Sequence, residues 1–131
     1  MGTLPAGARL KELRDGLLRL HSSLLVSERE LYERDVQRIR SQGQFLELLL
    51  NDPAFSWLRE LSQLIVLIDE AIETDGGPGP IEAEGLLARA RSLLQPADSE
   101  GPFGARYLAA LQRDPAVVLA HSATMQLLRR L

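Results

Sequence analysis

The apolar residues of the first forty positions recur with the spacing of an α-helix. Leu10, Leu13, Leu17, Leu20 and Leu24 lie three or four residues apart, and Leu25, Leu31, Tyr32 and Ile39 continue the same stripe. A period near 3.6 places them all on one face of a helix. We therefore predict one continuous helix over 7–40, about 50 Å long at 1.5 Å per residue. Ser27 and Glu30 have the spacing of a capping box and offer an alternative break.

Proline and glycine divide the remainder of the chain into further helical segments. The pattern predicts helices over 44–51, 53–74, 81–95, 103–113 and 115–131. Asp52-Pro53 and Asp114-Pro115 each place an N-cap before a proline at the first helical position. Segment 53–74 is apolar around more than half its circumference, so we predict an uninterrupted central helix there. We expect a flexible linker over 75–80 and a polar loop over 96–102.

Composition favours helix over strand along the whole chain. Leucine and alanine are abundant and β-branched residues are sparse. The 131 residues suit one domain with a core of its own. We predict an all-α fold over 1–131, a single-domain bundle of about four long helices plus short connecting helices, with a long N-terminal helix.

Several functional classes are disfavoured by composition. The chain has no cysteine, which excludes disulfides, thiolate metal sites and cysteine nucleophiles. A net charge of −3 provides no general attraction to nucleic acid. No apolar run approaches the roughly 20 residues that span a bilayer, and no secretory signal pattern begins the chain. We expect a cytoplasmic protein with neither a nucleic-acid nor a membrane partner.

Motifs for catalysis and cofactor binding are also missing from the sequence. There are two histidines, and neither Glu-x-x-His nor His-x-x-x-His occurs. The Gly-Gly-Pro-Gly-Pro run lacks the amides that a phosphate cradle requires. We therefore expect no cofactor, no metal and no catalytic residue, and a protein that is not an enzyme.

Polar residues nevertheless interrupt the apolar stripes. His21, Glu28 and Asp35 fall within the first stripe at seven-residue spacing. We call the candidate set the polar seam; it comprises His21, Glu28, Tyr32, Arg59, Ser62, Asp69 and His121. Arg59 and Arg14 are possible partners of Asp69 and Glu28. Burial without a partner is costly. Mutual pairing, a small-molecule pocket, or a metal or acid–base centre would each explain these residues.

The middle of the chain resembles a segment of a family of small helical bacterial proteins. The resemblance rests on Asp52-Pro53-x-Phe55-x-Trp57-Leu58-Arg59-x-Leu61-Ser62-x-Leu64-Ile65-Val66-x-Ile68-Asp69-Glu70. Downstream, Asp114-Pro115-x-Val117-Val118-x-x-His121 is similar to the same family. The resemblance implies a bacterial, cytoplasmic, stand-alone helical domain, and it implies no catalytic residues.

The leading functional hypothesis is a non-catalytic helical interaction or regulatory protein that binds itself or a partner protein. The helix over 7–40 is longer than its neighbours, so its end must overhang, bend or pack on another subunit. A homodimer through residues 7–40 satisfies that requirement. The alternative is a small-molecule-binding bundle with a polar pocket around His21, Glu28 and Asp69. A metal-dependent enzyme is the third hypothesis.

Overall fold

The computed structural model describes residues 4–95 and 101–131, and these residues form seven helices and no strand. The helices are α1 (Ala6–Asp35), α2 (Gln42–Asn51), α3 (Pro53–Ser56), α4 (Arg59–Glu73), α5 (Pro80–Leu93), α6 (Pro102–Arg113) and α7 (Pro115–Arg130). The predicted all-α class is confirmed. None of the described helices combines the length and apolar character needed to cross a membrane.

Helix α1 occupies the centre of the fold. It is continuous through Ser27, as predicted, and it contacts α3, α4, α5, α6 and α7. Five of its leucines are completely buried, namely Leu10, Leu13, Leu17, Leu20 and Leu24. The central position that the sequence suggested for 53–74 therefore belongs to α1. The wide apolar arc of 53–74 packs against α1 and α5 through α4.

Helix α1 ends at Asp35, not near Arg40 as the periodicity predicts. After Val36 the chain leaves the helix, and the Ile39 amide donates a hydrogen bond to Glu33 Oε2 at 3.1 Å. This turn buries Ile39 in a small hydrophobic cluster with Tyr32 and Phe55. Ile39 is buried as expected, but it reaches its position from a non-helical segment.

The predicted single helix over 53–74 is interrupted at Trp57 and Leu58. The indole nitrogen of Trp57 donates to the Ala54 carbonyl at 3.1 Å. The Leu58 amide bonds instead to the carbonyl of Phe55, three residues back, at 3.0 Å. A side-chain donor thus takes the carbonyl that a regular helix would offer to Leu58.

The interruption lets one segment supply two hydrophobic clusters. Phe55 packs in the small cluster with Tyr32 and Ile39, against which α2 lies. Trp57 and Leu58 belong to the main core, which α1, α4, α5, α6 and α7 share. The end of α1 is therefore covered from within the chain by the segment 36–56.

The predicted linker over 75–80 begins in a tight turn from Thr74 to Gly77 and ends at Pro80, the first residue of α5. Gly76 and Gly77 have φ angles of 82° and 75°, and the Gly77 amide bonds to the Thr74 carbonyl at 2.8 Å. Positive φ angles of this size suit glycine, which has no Cβ. Of the predicted loop over 96–102, residues 96–100 lie outside the described residues, and α6 begins at Pro102.

Candidate functional site

The residues of the polar seam do not converge on one site. They form separate contacts along α1 and between α6 and α7. Asp35, which the periodicity placed within the first apolar stripe, is exposed and paired with Arg34 at 3.0 Å. Asp35 is the last residue of α1, and the buried leucines of α1 in the main core extend only to Leu24. Asp35 therefore has no part of the main core to pack against.

Glu28 forms the most buried ion pair described. Its side chain is 5% exposed, and its Oε1 accepts a hydrogen bond from Arg113 Nη2 at 2.8 Å. The same Arg113 nitrogen donates to Ser27 Oγ at 3.0 Å. The sequence suggested Arg59 and Arg14 as partners of Asp69 and Glu28, but Arg59 instead donates to the Leu50 carbonyl at the end of α2 at 2.8 Å.

His21 and Asp69 connect α1 to α4 through two different contacts. His21 Nε2 lies 2.9 Å from Ser62 Oγ, and Arg14 Nη1 lies 3.3 Å from Asp69 Oδ1. The contacts are seven residues apart on each helix and run in opposite directions, so the two helices are antiparallel. Burial lowers the pKa of His21 below its ordinary value of 6.5. His21, Glu28 and Asp69 are all at least partly buried, and each is bonded to a residue of another helix.

Tyr32 and His121 lie in two further environments. Tyr32 packs against Phe55 in the small cluster, with 5.3 Å between ring centroids. His121 Nδ1 lies 2.6 Å from the hydroxyl of Tyr107, which is completely buried on α6. Burial lowers the pKa of His121 and raises that of Tyr107, so both groups are neutral near pH 7.

The buried polar groups of the polar seam have their hydrogen-bond partners within the protein. Within residues 4–95 and 101–131, no fully buried side-chain nitrogen or oxygen lacks a hydrogen-bond partner. The described residues also contain no group of three or more His, Asp or Glu that could hold a metal ion. The seam pairs therefore account for their own burial without a ligand.

A cleft of about 450 Å³ lies between the end of α5 and α7. We call it the α5–α7 cleft, and its walls are Leu94, Gln95, His121, Ser122, Met125, Gln126 and Arg129. Its polar side chains are hydrogen-bond donors or amides, and none is a carboxylate. His121 is the one member of the polar seam that lines this cleft.

Helices α6 and α7 present an outer surface with little charge. None of the fourteen residues from Pro115 to Leu128 is Asp, Glu, Lys or Arg, although these types form 25% of the chain. Along exposed positions of α6, Arg106 is the one charged residue. The exposed positions of α1 and α4 are, by contrast, rich in Lys, Arg, Asp and Glu.

Apolar side chains are concentrated where α6 meets α7. We call this region the apolar corner; it comprises Leu108, Leu111, Pro115, Val118 and Leu119. Leu119 is 72% exposed. It lines a cleft of about 370 Å³ together with Leu111, Pro115 and Val118, and Gln112, Arg113 and Asp114 form the polar part of the same cleft. An exposed apolar cluster of this kind is typical of an interaction surface.

Sequence reasoning missed Arg113, Tyr107 and Arg129. Arg113 resembles any basic residue in the last turn of a helix, and Tyr107 resembles any aromatic residue on an apolar stripe. Their partners lie on other helices, so no local signal identifies them. The lack of charge from Pro115 to Leu128 is visible in the sequence and would have indicated the α6–α7 surface.

Comparison with protein-family models, curated proteins and solved structures finds no match to this chain. Function must therefore be argued from the surfaces and contacts themselves.

Proposed function

We propose that the chain is a single non-catalytic interaction domain that acts as a homodimer, with the apolar corner as its contact surface. The observation that carries this proposal is the group of exposed apolar side chains on an almost uncharged surface. Soluble proteins keep most of their surface interspersed with charge, and a patch without it indicates contact with a protein. A cytoplasmic location in a bacterium, which the sequence resemblance implies, belongs to the same proposal.

Self-association fits this surface better than a charged partner does. In a two-fold interface the same patch meets itself, so a patch with a net charge would repel its own copy. The two charged residues at the corner are engaged within the chain. Arg113 bonds to Glu28, and the Asp114 carboxylate accepts the Ala116 amide at 2.9 Å as the N-cap of α7.

The apolar corner offers a second copy both an exposed leucine and an apolar cleft wall. Leu119 is highly exposed and lines a cleft together with Leu111, Pro115 and Val118. Across a two-fold axis, Leu119 of each copy would lie in the cleft of the other. Five side chains are few compared with the roughly 20–30 residues that each partner contributes to a standard interface. We therefore expect a weak dimer with a micromolar dissociation constant.

A dimer through residues 7–40 remains a prediction, although one of its reasons was an overhanging end of the first helix. The end of α1 does not overhang, because Tyr32 packs against Phe55 and Ile39. The exposed positions of α1 include Lys11, Glu12 and other charged residues. Compared with the charged surface of α1, the apolar corner offers a second copy more apolar contact, and fewer charged groups would have to be desolvated there.

Sedimentation equilibrium across a range of concentrations tests the proposed dimer. We expect the average mass to rise from the 14.5 kDa of the monomer towards twice that value between low and high micromolar concentration. Leu119→Lys should hold the protein at the monomer mass, because each copy would place an ammonium group against the partner's Leu111, Pro115 and Val118 side chains.

Ile81→Lys is the matched control. Ile81 is an aliphatic residue on α5, 88% exposed, and it is not part of the apolar corner. The Ile81→Lys protein should dimerise like the parent. A parent chain that stays monomeric at a few hundred micromolar would refute the proposal, and so would a Leu119→Lys variant that dimerises normally.

A further inference from the structure

The α5–α7 cleft combines hydrogen-bond donors with an apolar wall. Its volume of about 450 Å³ lies within the range of small-molecule sites. Leu94 and Met125 form the apolar part, and Arg129, His121 and Ser122 form the polar part. No described carboxylate lies within ion-pair distance of Arg129.

The contact with Tyr107 determines which nitrogen of His121 carries the proton. The hydroxyl of Tyr107 is buried, and His121 Nδ1 at 2.6 Å is the one described group that can accept its hydrogen bond. The hydroxyl therefore donates, and Nδ1 accepts. In a neutral imidazole the proton then resides on Nε2. No described residue accepts a hydrogen bond from this N–H, so it is available to a ligand.

We propose that the α5–α7 cleft binds a small organic carboxylate with an aliphatic body. The carboxylate would accept hydrogen bonds from Arg129 and from His121 Nε2–H, and the aliphatic body would lie against Leu94 and Met125. A guanidinium matches the two oxygens of a carboxylate, and one arginine balances one negative charge. The site does not depend on the proposed dimer.

Arg129 is the necessary member of this site. The cleft lies towards the carboxyl end of α7, where the helix dipole carries partial negative charge and disfavours an anion. Without the guanidinium of Arg129, the cleft would have only a neutral imidazole and neutral amide groups, and these would not offset the partial negative charge of the helix end. The adjacent Arg130 is exposed and does not line the cleft, so it serves as a control for general electrostatic attraction.

Isothermal titration calorimetry with octanoate tests the proposal, with 1-octanol and inorganic phosphate as comparison probes. We expect saturable binding of octanoate at one site per chain, and weaker binding of both other probes. Arg129→Gln should weaken octanoate binding by about tenfold or more, because it removes a charge-assisted hydrogen bond. Arg130→Gln should change it by about twofold at most, because a solvent-exposed charge is screened.

Three outcomes would overturn the carboxylate site. They are the absence of saturable octanoate binding, equal losses in the two arginine variants, and binding of 1-octanol as tight as that of octanoate. Far-UV circular dichroism should show the parent spectrum for both variants, since both arginines are exposed. The Leu119→Lys variant should bind octanoate normally, which separates this test from that of the dimer.

Discussion

At the scale of single residues, the two histidines have different structural importance. Ser62 Oγ lies 2.9 Å from His21 Nε2 and also 3.3 Å from the Leu58 carbonyl, to which its hydroxyl can donate. Removing His21 therefore leaves Ser62 with a partner. His121 is the acceptor for the buried hydroxyl of Tyr107. Removing His121 leaves that hydroxyl without a described partner.

We predict opposite results for the two corresponding leucine variants. His21→Leu should leave the free energy of unfolding unchanged or raise it, because an apolar side chain then meets the apolar neighbours. His121→Leu should lower it by about 1–3 kcal/mol, the cost of one unpaired buried polar group. Urea denaturation measures both values.

Adding Tyr107→Phe to His121→Leu removes the unpaired hydroxyl and should recover part of the loss. A His121→Leu protein as stable as the parent would contradict this account of the Tyr107 contact. A His21→Leu protein that loses as much as His121→Leu would contradict the account of Ser62.

At the scale of helices, ion pairs of very different burial connect the elements. The Glu28–Arg113 pair joins α1 to the end of α6, and the Glu28 side chain is 5% exposed. The Arg14–Asp69 pair joins α1 to α4, and the Asp69 side chain is 43% exposed. A carboxylate left alone in the first environment has little access to water, whereas one left in the second is well solvated.

We predict that Arg113→Met destabilises the protein by about 3 kcal/mol, because it leaves a buried charge without its partner. Arg14→Met is the matched control and should cost about 1 kcal/mol or less. Replacing Glu28 with leucine in the Arg113→Met background should restore much of the stability. Thermal and urea unfolding of the four proteins would provide the comparison; equal costs for the two single variants would contradict it.

At the scale of the whole molecule, the hydrophobic interior is divided into two clusters of unequal size. The main core is shared by α1, α4, α5, α6 and α7, while the small cluster centres on Tyr32, Ile39 and Phe55. Helix α2 lies against the small cluster, and none of its residues is fully buried. Its attachment to the rest of the fold depends on half-buried Phe45, Leu48 and Leu49.

We predict that α2 opens locally before the main core unfolds. Regions with little buried apolar area exchange their amide hydrogens through low-energy local openings, and core helices exchange through global unfolding. Hydrogen exchange followed by NMR should show lower opening free energies for the amides of α2 than for those of α1 from Leu13 to Leu24. Equal protection in the two helices would contradict the division into two clusters.

Local sequence signals determined the helical class and most helix starts. Asp52 and Asp114 cap α3 and α7 through their own carboxylates, which accept the Ala54 and Ala116 amides. These bonds span two residues, so the sequence around each corner contains the whole interaction. The apolar periodicity likewise predicted the buried face of α1, because a side chain's direction on a helix follows from its position.

Tertiary structure decided where helices end, which helix is central and which polar groups meet. The indole of Trp57 interrupts 53–74, and the burial of Ile39 ends α1, because contacts outside the helix compete with its own hydrogen bonds. Periodicity shows that a face is buried but does not identify the helix that covers it. Glu28 and Arg113 are 85 residues apart, and only the packing of α1 against α6 brings their charges to 2.8 Å.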